Sequence, residues 1–308
     1  MLWKKERRSH SIKVLILKKA YSFFKLSKPR ILFATYLLFL IPYLTASHPN
    51  EFSNPMRLAI LSLLAITTSM AFNSANSYFD RDIDSIMQRT RKRPLPSGTL
   101  TVKEAQAFVA SSFTASALIA AYVSLIYGPI ILALYCLAAL SYIGIYTLFL
   151  KRRTALNVIT LSPAVAVPIL VGWYLGCGCL SLQSILMGIA ATTWGPLHLW
   201  ALASVYTQDY IRARVPMLPT VLNLKDVGKI MFTLALALSA ITLSIALIKA
   251  HKLIYLLITI PATTALLRFS YKTLKEPGSK WSFKLYKFSS YYLPIILFSA
   301  YLNTIIPL

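Results

Sequence analysis

Long apolar stretches, separated by short polar or basic segments, follow one another along the whole chain. A helix rises about 1.5 Å per residue, so about 20 apolar residues are needed to cross a hydrocarbon core about 30 Å thick. The pattern predicts membrane-spanning helices at roughly residues 31–46, 57–79, 104–126, 129–150, 155–176, 183–205, 228–248, 253–270 and 286–306. The predicted fold class is an all-α polytopic membrane protein, with about nine transmembrane helices in a bundle around a central cavity.

Composition agrees with this pattern and divides the chain into two parts. Of the residues, 57% are hydrophobic and 13% are charged, whereas about 25% of the residues of a soluble domain are charged. The first 30 residues differ, because ten of them are Lys or Arg. We predict a basic cytoplasmic N-terminal segment over 1–30, lying on anionic membrane lipids, and a nine-helix intramembrane domain over 31–308.

Basic residues occupy alternate connections between the predicted spans. Of the 32 Lys and Arg residues, 29 lie in the segments 1–30, 81–103, 151–153, 206–229 and 268–287. Cytoplasmic loops of membrane proteins carry such an excess. The distribution predicts a multi-pass plasma-membrane protein with its N-terminus in the cytoplasm, its C-terminus outside and its acidic motifs toward the cytoplasm. It also accounts for the net charge of +23 without nucleic acid as a partner.

Three of the nine acidic residues lie together at the end of the second predicted span. Asn76, Asp80 and Asp84 recur every four residues, so on a helix they share one face. Two carboxylates and an amide suit a hard cation, and Mg²⁺ is typically bound by one or two carboxylates plus substrate phosphates. We predict Asp80 and Asp84 as ligands of Mg²⁺.

A basic cluster follows these acids directly and includes Arg89 and Arg93. Its guanidinium groups are suited to the phosphate oxygens that a metal ion leaves free, so the pairing predicts a diphosphate site. The alternative for these arginines is a role as positive-inside anchors. Asp82 lies off the metal face, and an ion pair with Arg81 or Arg89 is favoured for it over metal binding.

A second acidic position lies at the end of the sixth predicted span. Asp209 is the only acid between Glu104 and Asp226. Carboxylates at a membrane edge are costly and are usually functional or paired. The predicted topology places Asp209 on the same side as the first acidic motif, facing it across the cavity.

The motif from Asn73 to Leu95, N-x-x-N-x-x-x-D-R-D-I-D-x-x-M-x-R-T-x-x-R-P-L, resembles the first aspartate motif of the UbiA-type intramembrane prenyltransferases. More narrowly, it is similar to that of the protoheme IX farnesyltransferases, or haem O synthases. Further blocks of this similarity lie, in order, at 146–157, 168–173, 194–203 and 209–219. Five ordered blocks are far more specific than a lone pair of aspartates.

The resemblance implies a nine-helix bundle whose membrane cavity is open to lipid. It implies that a farnesyl group passes from farnesyl diphosphate to a vinyl group of haem b, with addition of water, to give haem o and diphosphate. Mg²⁺ is the implied cofactor, and haem b is a substrate rather than a fixed cofactor. Haem A synthase and the terminal-oxidase assembly machinery are the implied protein partners.

Site residues follow from the matched blocks and from the chemistry of an allylic cation, which needs a dry pocket with aromatic faces. The expected catalytic residues are Asn76, Asp80, Asp84 and Asp209. The expected diphosphate ligands are Arg89, Arg93, Lys151, Arg152 and Arg153. The expected haem and prenyl pocket comprises Tyr146, Trp173, Trp194, His198 and Trp200. Membrane anchoring is the alternative for 151–153, and an ordinary hydrogen-bonded buried histidine is the alternative for His198.

Two other functions fit parts of the pattern. One is a related prenyltransferase that acts on a quinone precursor or a lipid alcohol, although the blocks H-x-W-A-L-A and V-P-M-L-P favour haem. The haem branch usually has basic residues directly before this second acidic position, whereas residues 206–208 of this chain are not basic. This difference concerns the identity of the acceptor more than the class of reaction. The other function is a non-catalytic haem transporter or scaffold, but two acidic motifs on one side of the membrane do not indicate matching transport halves.

Overall fold

The computed structural model describes residues 17–47, 55–248 and 253–306, and all regular elements in those ranges are helices. Residues 1–16 of the predicted N-terminal segment lie outside the described ranges. A helix over 17–26, here called the lead-in helix, precedes the bundle. The helices that follow are α1 (Pro29–Ala46), α2 (Pro55–Phe79), α3 (Arg81–Ile86), α4 (Val102–Tyr127), α5 (Ile130–Leu150), α6 (Asn157–Cys177), α7 (Leu182–Val205), α8 (Thr207–Arg212), α9 (Leu218–Val221), α10 (Leu224–Leu247), α11 (Leu253–Lys275) and α12 (Lys280–Ile305).

Each of the nine predicted spans corresponds to one long helix in the described part of the chain. Eight of these helices, all except α12, are long and apolar enough to cross a membrane. Helix α12 has the length, but it begins before the predicted boundary at 286 and carries Lys280, Lys284 and Lys287 in its first turns. The prediction of an all-helical polytopic membrane protein is confirmed.

Helices α1 and α6 form the centre of the bundle, because each contributes to both large apolar cores. They approach closely at two glycines. A Cβ atom on Gly172 would lie 2.1 Å from the backbone oxygen of Phe39, and one on Gly176 would lie 2.7 Å from that of Tyr43. Small residues four apart let membrane helices pack backbone to backbone. The sequence G-W-Y-L-G therefore fixes the crossing of α6 over α1.

The lead-in helix packs against the bundle through its last turn. Leu26 is buried with Leu100 and Ala105, and the Ser77 hydroxyl donates a hydrogen bond of 3.0 Å to the Leu26 carbonyl. Glu104, which completes the capping box of α4, also forms an ion pair with Lys19. The end of the lead-in helix is thereby held beside the end of α2.

Candidate active site

The first acidic motif lies where α2 passes into α3. The Asp80 amide donates to the Asn76 carbonyl at 3.0 Å, and the Asp84 amide donates to the Asp80 carbonyl at 2.8 Å. The helical repeat therefore continues through the junction, and all three side chains are buried. Asn76 Nδ2 donates to Asp80 Oδ2 at 2.9 Å, so these two residues lie on one face, as their spacing predicts.

Asp80 has one engaged and one open carboxylate oxygen. Its Oδ2 accepts from Asn76 and forms an ion pair with Lys151. Its Oδ1 is buried and has no hydrogen-bond partner among the described residues. Burial is the largest single effect and opposes the charged form of Lys151, but attraction to Asp80, together with Tyr146 and Asp84, raises the pKa of the ammonium. A buried, unpaired carboxylate oxygen is what a bound cation would satisfy.

Asp84 anchors the basic loop that follows α3. Arg93 Nη1 donates to Asp84 Oδ2 at 2.6 Å, and the Thr90 hydroxyl donates to the Asp84 backbone carbonyl at 3.1 Å. The side chain of Arg93 is partly exposed, whereas that of Asp84 is buried. The loop thus folds back and brings one guanidinium to the rim of the acidic site.

A π-helix in the second half of α5, Leu140–Leu150, lines the other side of the motif. The Tyr142 hydroxyl donates to Asn73 Oδ1 at 3.2 Å, and Asn76 Nδ2 donates to the Thr147 hydroxyl at 3.1 Å. Lys151, which follows the π-helix, reaches Asp80. Contacts five residues apart on α5 need the wider turn of a π-helix, a feature frequent at functional sites. The ordinary helical period of the sequence gave no sign of it.

Lys28 is a site residue that sequence reasoning missed, because it was assigned to the basic segment on the lipid surface. It lies between the lead-in helix and Pro29, and its ammonium donates to Asn76 Oδ1. Burial, followed by repulsion from Arg93, lowers the pKa of Lys28 to about 7, against the attraction of Asp80 and Asp84. The available signal was a lysine placed directly before the proline that begins the first span.

Asp209 joins the second acidic motif to the first through the backbone. Its two carboxylate oxygens accept hydrogen bonds of 3.2 Å from the amides of Gln88 and Arg89, and it forms an ion pair with Arg212. The Arg89 guanidinium lies 5.6 Å from the centre of the Tyr206 ring. The loop after α3 therefore joins the two motifs directly, whereas the two acids were expected to face each other across a cavity.

The remaining acid of the first motif is exposed and paired. Asp82 accepts hydrogen bonds of 2.6 and 2.7 Å from Arg152, which hold the pKa of that carboxyl below its usual range. The ion pair expected for Asp82 is present, but the prediction of Arg81 or Arg89 as its partner is wrong, because the partner is Arg152. Arg153 lies over the Phe149 ring at 4.0 Å. Of the three basic residues at 151–153, only Lys151 contacts a buried acid.

The expected aromatic residues fall into separate groups. Tyr146 is buried, and its ring lies 5.5 Å from Lys151 Nζ. His198 stacks on Trp194 at 4.5 Å and hydrogen bonds through Nδ1 to the Ser289 hydroxyl at 2.9 Å. Trp173 and Trp200 are buried, and neither indole N–H has a partner among the described residues. The described contacts link His198 to α12 and not to the acids.

The donor set of this site fits a hard cation that also needs ligands from a substrate. Asp80 and Asp84 are two buried carboxylates four residues apart, and Asp80 Oδ1 is open. Within the described ranges there is no group of three or more His, Cys, Asp or Glu that could hold a metal ion by itself. Mg²⁺ suits such an incomplete protein site, because it keeps water and phosphate ligands.

A model of the UbiA prenyltransferase family matches residues 32–291. The chain belongs to the UbiA prenyltransferase family. The match includes every expected site residue. In this UbiA-family protein, Lys28 lies just before the matched region.

Relatives of known name cover nearly the whole chain. The protoheme IX farnesyltransferase of Caldivirga maquilingensis is 33% identical over 284 residues, which cover 92% of this chain and 99% of the relative. That of Pyrobaculum arsenaticum is 34% identical over 278 residues, covering 90% and 98%. That of Archaeoglobus fulgidus is 31% identical over 290 residues, covering 93% and 99%.

Solved structures share the fold at low sequence identity. A digeranylgeranylglyceryl phosphate synthase superposes with a TM-score of 0.75 at 17% identity, covering 93% of this chain and 99% of the synthase. A UbiA homologue from Archaeoglobus fulgidus bound to GPP and Mg²⁺ gives a TM-score of 0.63 at 15% identity, covering 91% and 99%. The fold of the described helices is therefore the UbiA fold.

Proposed function

We propose that this UbiA-family protein transfers the farnesyl group of farnesyl diphosphate to a vinyl group of haem b, with addition of water, to give haem o and diphosphate. The reaction class is supported by two buried carboxylates, one with an open oxygen, surrounded by Lys151, Arg93 and Lys28. The acceptor is supported by the near full-length similarity to proteins named protoheme IX farnesyltransferase.

The leaving diphosphate defines the polar half of the proposed site. Asp80 and Asp84 would hold Mg²⁺, which when bound would neutralise negative charge on the departing diphosphate. Lys151 and Arg93 orient the phosphate oxygens and stabilise the charge that develops as the carbon–oxygen bond breaks. The Asp209 carboxylate accepts hydrogen bonds from backbone amides of the loop after α3. It thereby positions that loop, so that Arg93 stays beside Asp84.

The farnesyl carbon released from diphosphate is electron-poor and must be shielded from water until it meets the acceptor. The Tyr146 ring, beside Lys151, presents a π-face where such a carbon would emerge. A carbon–carbon bond then forms to the terminal vinyl carbon of haem b. Water adds to the inner vinyl carbon and loses one proton, which balances the reaction.

The porphyrin would lie against the aromatic residues of α6 and α7. The unpartnered indole N–H groups of Trp173 and Trp200 are donors available to a polar group of the acceptor. His198 is assigned to this pocket through its matched block. In our proposal Arg152 and Arg153 serve as cytoplasmic surface cations, because Arg152 is engaged by Asp82 and Arg153 lies over Phe149.

The chain is a multi-pass membrane protein, and we propose that its acidic motifs face the cytoplasm. The described basic segments 81–103, 151–153 and 206–229 contribute loops or helix ends to the acidic site. That placement suits the capture of a water-soluble diphosphate head group from the cytoplasm. Haem A synthase and the oxidase assembly machinery are the proposed partners, since they act on the haem product.

The decisive experiment is expression of the chain in a host that contains only haem b, followed by extraction of its pigments. Haem o is expected, with a mass increased by one farnesyl group and one hydroxyl group. Purified protein with Mg²⁺, farnesyl diphosphate and haem b should give the same product. Prenylation of an aromatic quinone precursor, with haem b left unchanged, would instead support the alternative acceptor.

A further inference from the structure

Lys28 differs from the other cations that contact the buried polar residues of the first motif. Lys151 pairs with Asp80 and Arg93 pairs with Asp84. The hydrogen bond that Lys28 makes in the described part of the chain is to a neutral acceptor, Asn76 Oδ1. An ammonium has three N–H donors, and a partly buried charge with so little compensation is costly. Lys28 therefore holds unused charge and unused donors at the acidic site.

The backbone of Lys28 is held in an unusual conformation that directs its side chain to the site. Its φ of 53° and ψ of 70° are left-handed, a region that residues other than glycine seldom occupy. The neighbouring Ser27 hydroxyl lies 3.1 Å from that of Ser74, and Leu26 is buried and bonded to Ser77. Such conformations persist only where packing imposes them, and they concentrate at functional sites.

The charges around Lys28 favour an anion. The groups that act on its ammonium are the acids Asp80 and Asp84 and the cations Arg93 and Lys151. With Lys28 in its protonated form, these are three cations and two acids, which leaves one net positive charge. A divalent metal ion would increase that excess, and a diphosphate would neutralise it with charge-assisted hydrogen bonds.

We propose that Lys28 binds a phosphate oxygen of the prenyl diphosphate directly and exchanges its contact with Asn76 Oδ1 for that oxygen. This inference rests on the proposed function, because the ligand is the donor of that reaction. Asn76 keeps its Nδ2 bond to Asp80 during the exchange, while its own oxygen becomes free toward the acids. The connection between the lead-in helix and α1 is then part of the substrate site and not only of a membrane-surface segment.

The test measures binding of inorganic pyrophosphate by isothermal titration of the purified full-length protein in detergent, with Mg²⁺ and without haem. Lys28→Met should weaken pyrophosphate binding about tenfold or more, the expected loss for one hydrogen bond to a charged group. Binding of Mg²⁺ alone should be unchanged or tighter, because a cation leaves the neighbourhood of Asp80. Lys28→Arg should retain most of the pyrophosphate affinity, since it retains the charge.

The matched control is Lys25→Met, which removes an exposed lysine from the adjoining lead-in helix; its ammonium lies 4.5 Å from the centre of the Tyr21 ring. It should leave both affinities unchanged. If Lys28→Met destabilises the protein, Lys28→Gln, which retains an N–H for Asn76, provides the same comparison. Equal pyrophosphate binding by a folded neutral variant overturns the role of Lys28, as does an equal loss of Mg²⁺ and pyrophosphate binding. A wild-type protein that fails to bind magnesium pyrophosphate contradicts the proposed function itself.

Discussion

At the scale of single residues, the three acids that are buried in the described part of the chain have different hydrogen-bond and ion-pair partners, and they therefore suit different roles. Asp80 keeps an open oxygen, Asp84 is held by Arg93, and Asp209 has both oxygens engaged by backbone amides. The first two are suited to a cation and a diphosphate. Asp209 is suited to positioning, because its acceptors are already occupied.

Asp80→Asn should reduce prenyl transfer by about 100-fold or more, since it removes charge from the site that stabilises the leaving group. Turnover of farnesyl diphosphate and haem b by the purified variant is the measurement, and Asp84→Asn should behave similarly. Asp82→Asn is the matched control, because Asp82 is exposed and paired with Arg152, and it should lose far less. Full activity of both the Asp80 and Asp84 variants would rule out the metal-diphosphate site.

Asp209→Asn should loosen the loop after α3, because an amide side chain cannot accept both backbone hydrogen bonds as a carboxylate does. Hydrogen exchange at the Gln88 and Arg89 amides should become faster, and the Michaelis constant for farnesyl diphosphate should rise. Asp226→Asn is the control: Asp226 is exposed, pairs with Lys229, and contacts no residue of that loop among its described partners. Unchanged exchange at both loop amides would contradict the positioning role.

At the scale of elements, two local deviations from ordinary helix geometry shape the site. The π-helix of α5 brings Tyr142 and Thr147, five residues apart, to the face that meets α2. The two glycines of α6 bring that helix against the backbone of α1. Since Lys28 directly precedes α1, the glycine contact also supports one wall of the site.

Gly172→Ala should destabilise the bundle by about 1–3 kcal/mol, because the added methyl group would overlap the Phe39 carbonyl and the backbones must move apart. The thermal unfolding midpoint in detergent should fall accordingly. Gly188→Ala is the control, since its added Cβ would meet the Leu170 side chain at an ordinary 3.4 Å. Equal midpoints for wild type and Gly172→Ala would show that α1 and α6 do not approach so closely.

At the scale of the whole molecule, the alternation of basic and neutral connections predicts the orientation in the membrane. Cysteines introduced at the exposed positions Ser97 and Lys225 should react with an impermeant reagent only from the cytoplasmic side. The native Cys179, exposed in the connection between α6 and α7, should react only from the other side. Labelling of positions 97 and 225 from opposite sides would refute the predicted topology.

Much of the fold was predictable because it depends on local properties of the chain. The positions of the nine long helices follow from apolar length, although α12 is not apolar enough to count as a span. The shared face of Asn76 and Asp80 follows from a four-residue spacing on one continuous helix. The expected position of the second motif was less accurate. Asp209 binds the loop after α3 directly, and the pairing of a carboxylate with backbone amides over a hundred residues away leaves no pattern in sequence.

Periodicity and composition act within a few turns of helix, so they specify the class of protein, the clustering of its charges and the residues that form the acidic motif. Which cation meets which polar group depends on how distant segments pack: Lys151 meets Asp80, Arg152 meets Asp82 and Lys28 meets Asn76. Along the sequence these cations are equivalent, because each ends a span or flanks one. Their partners depend on a π-helical turn and on where the lead-in helix packs, and both are set by contacts between distant segments.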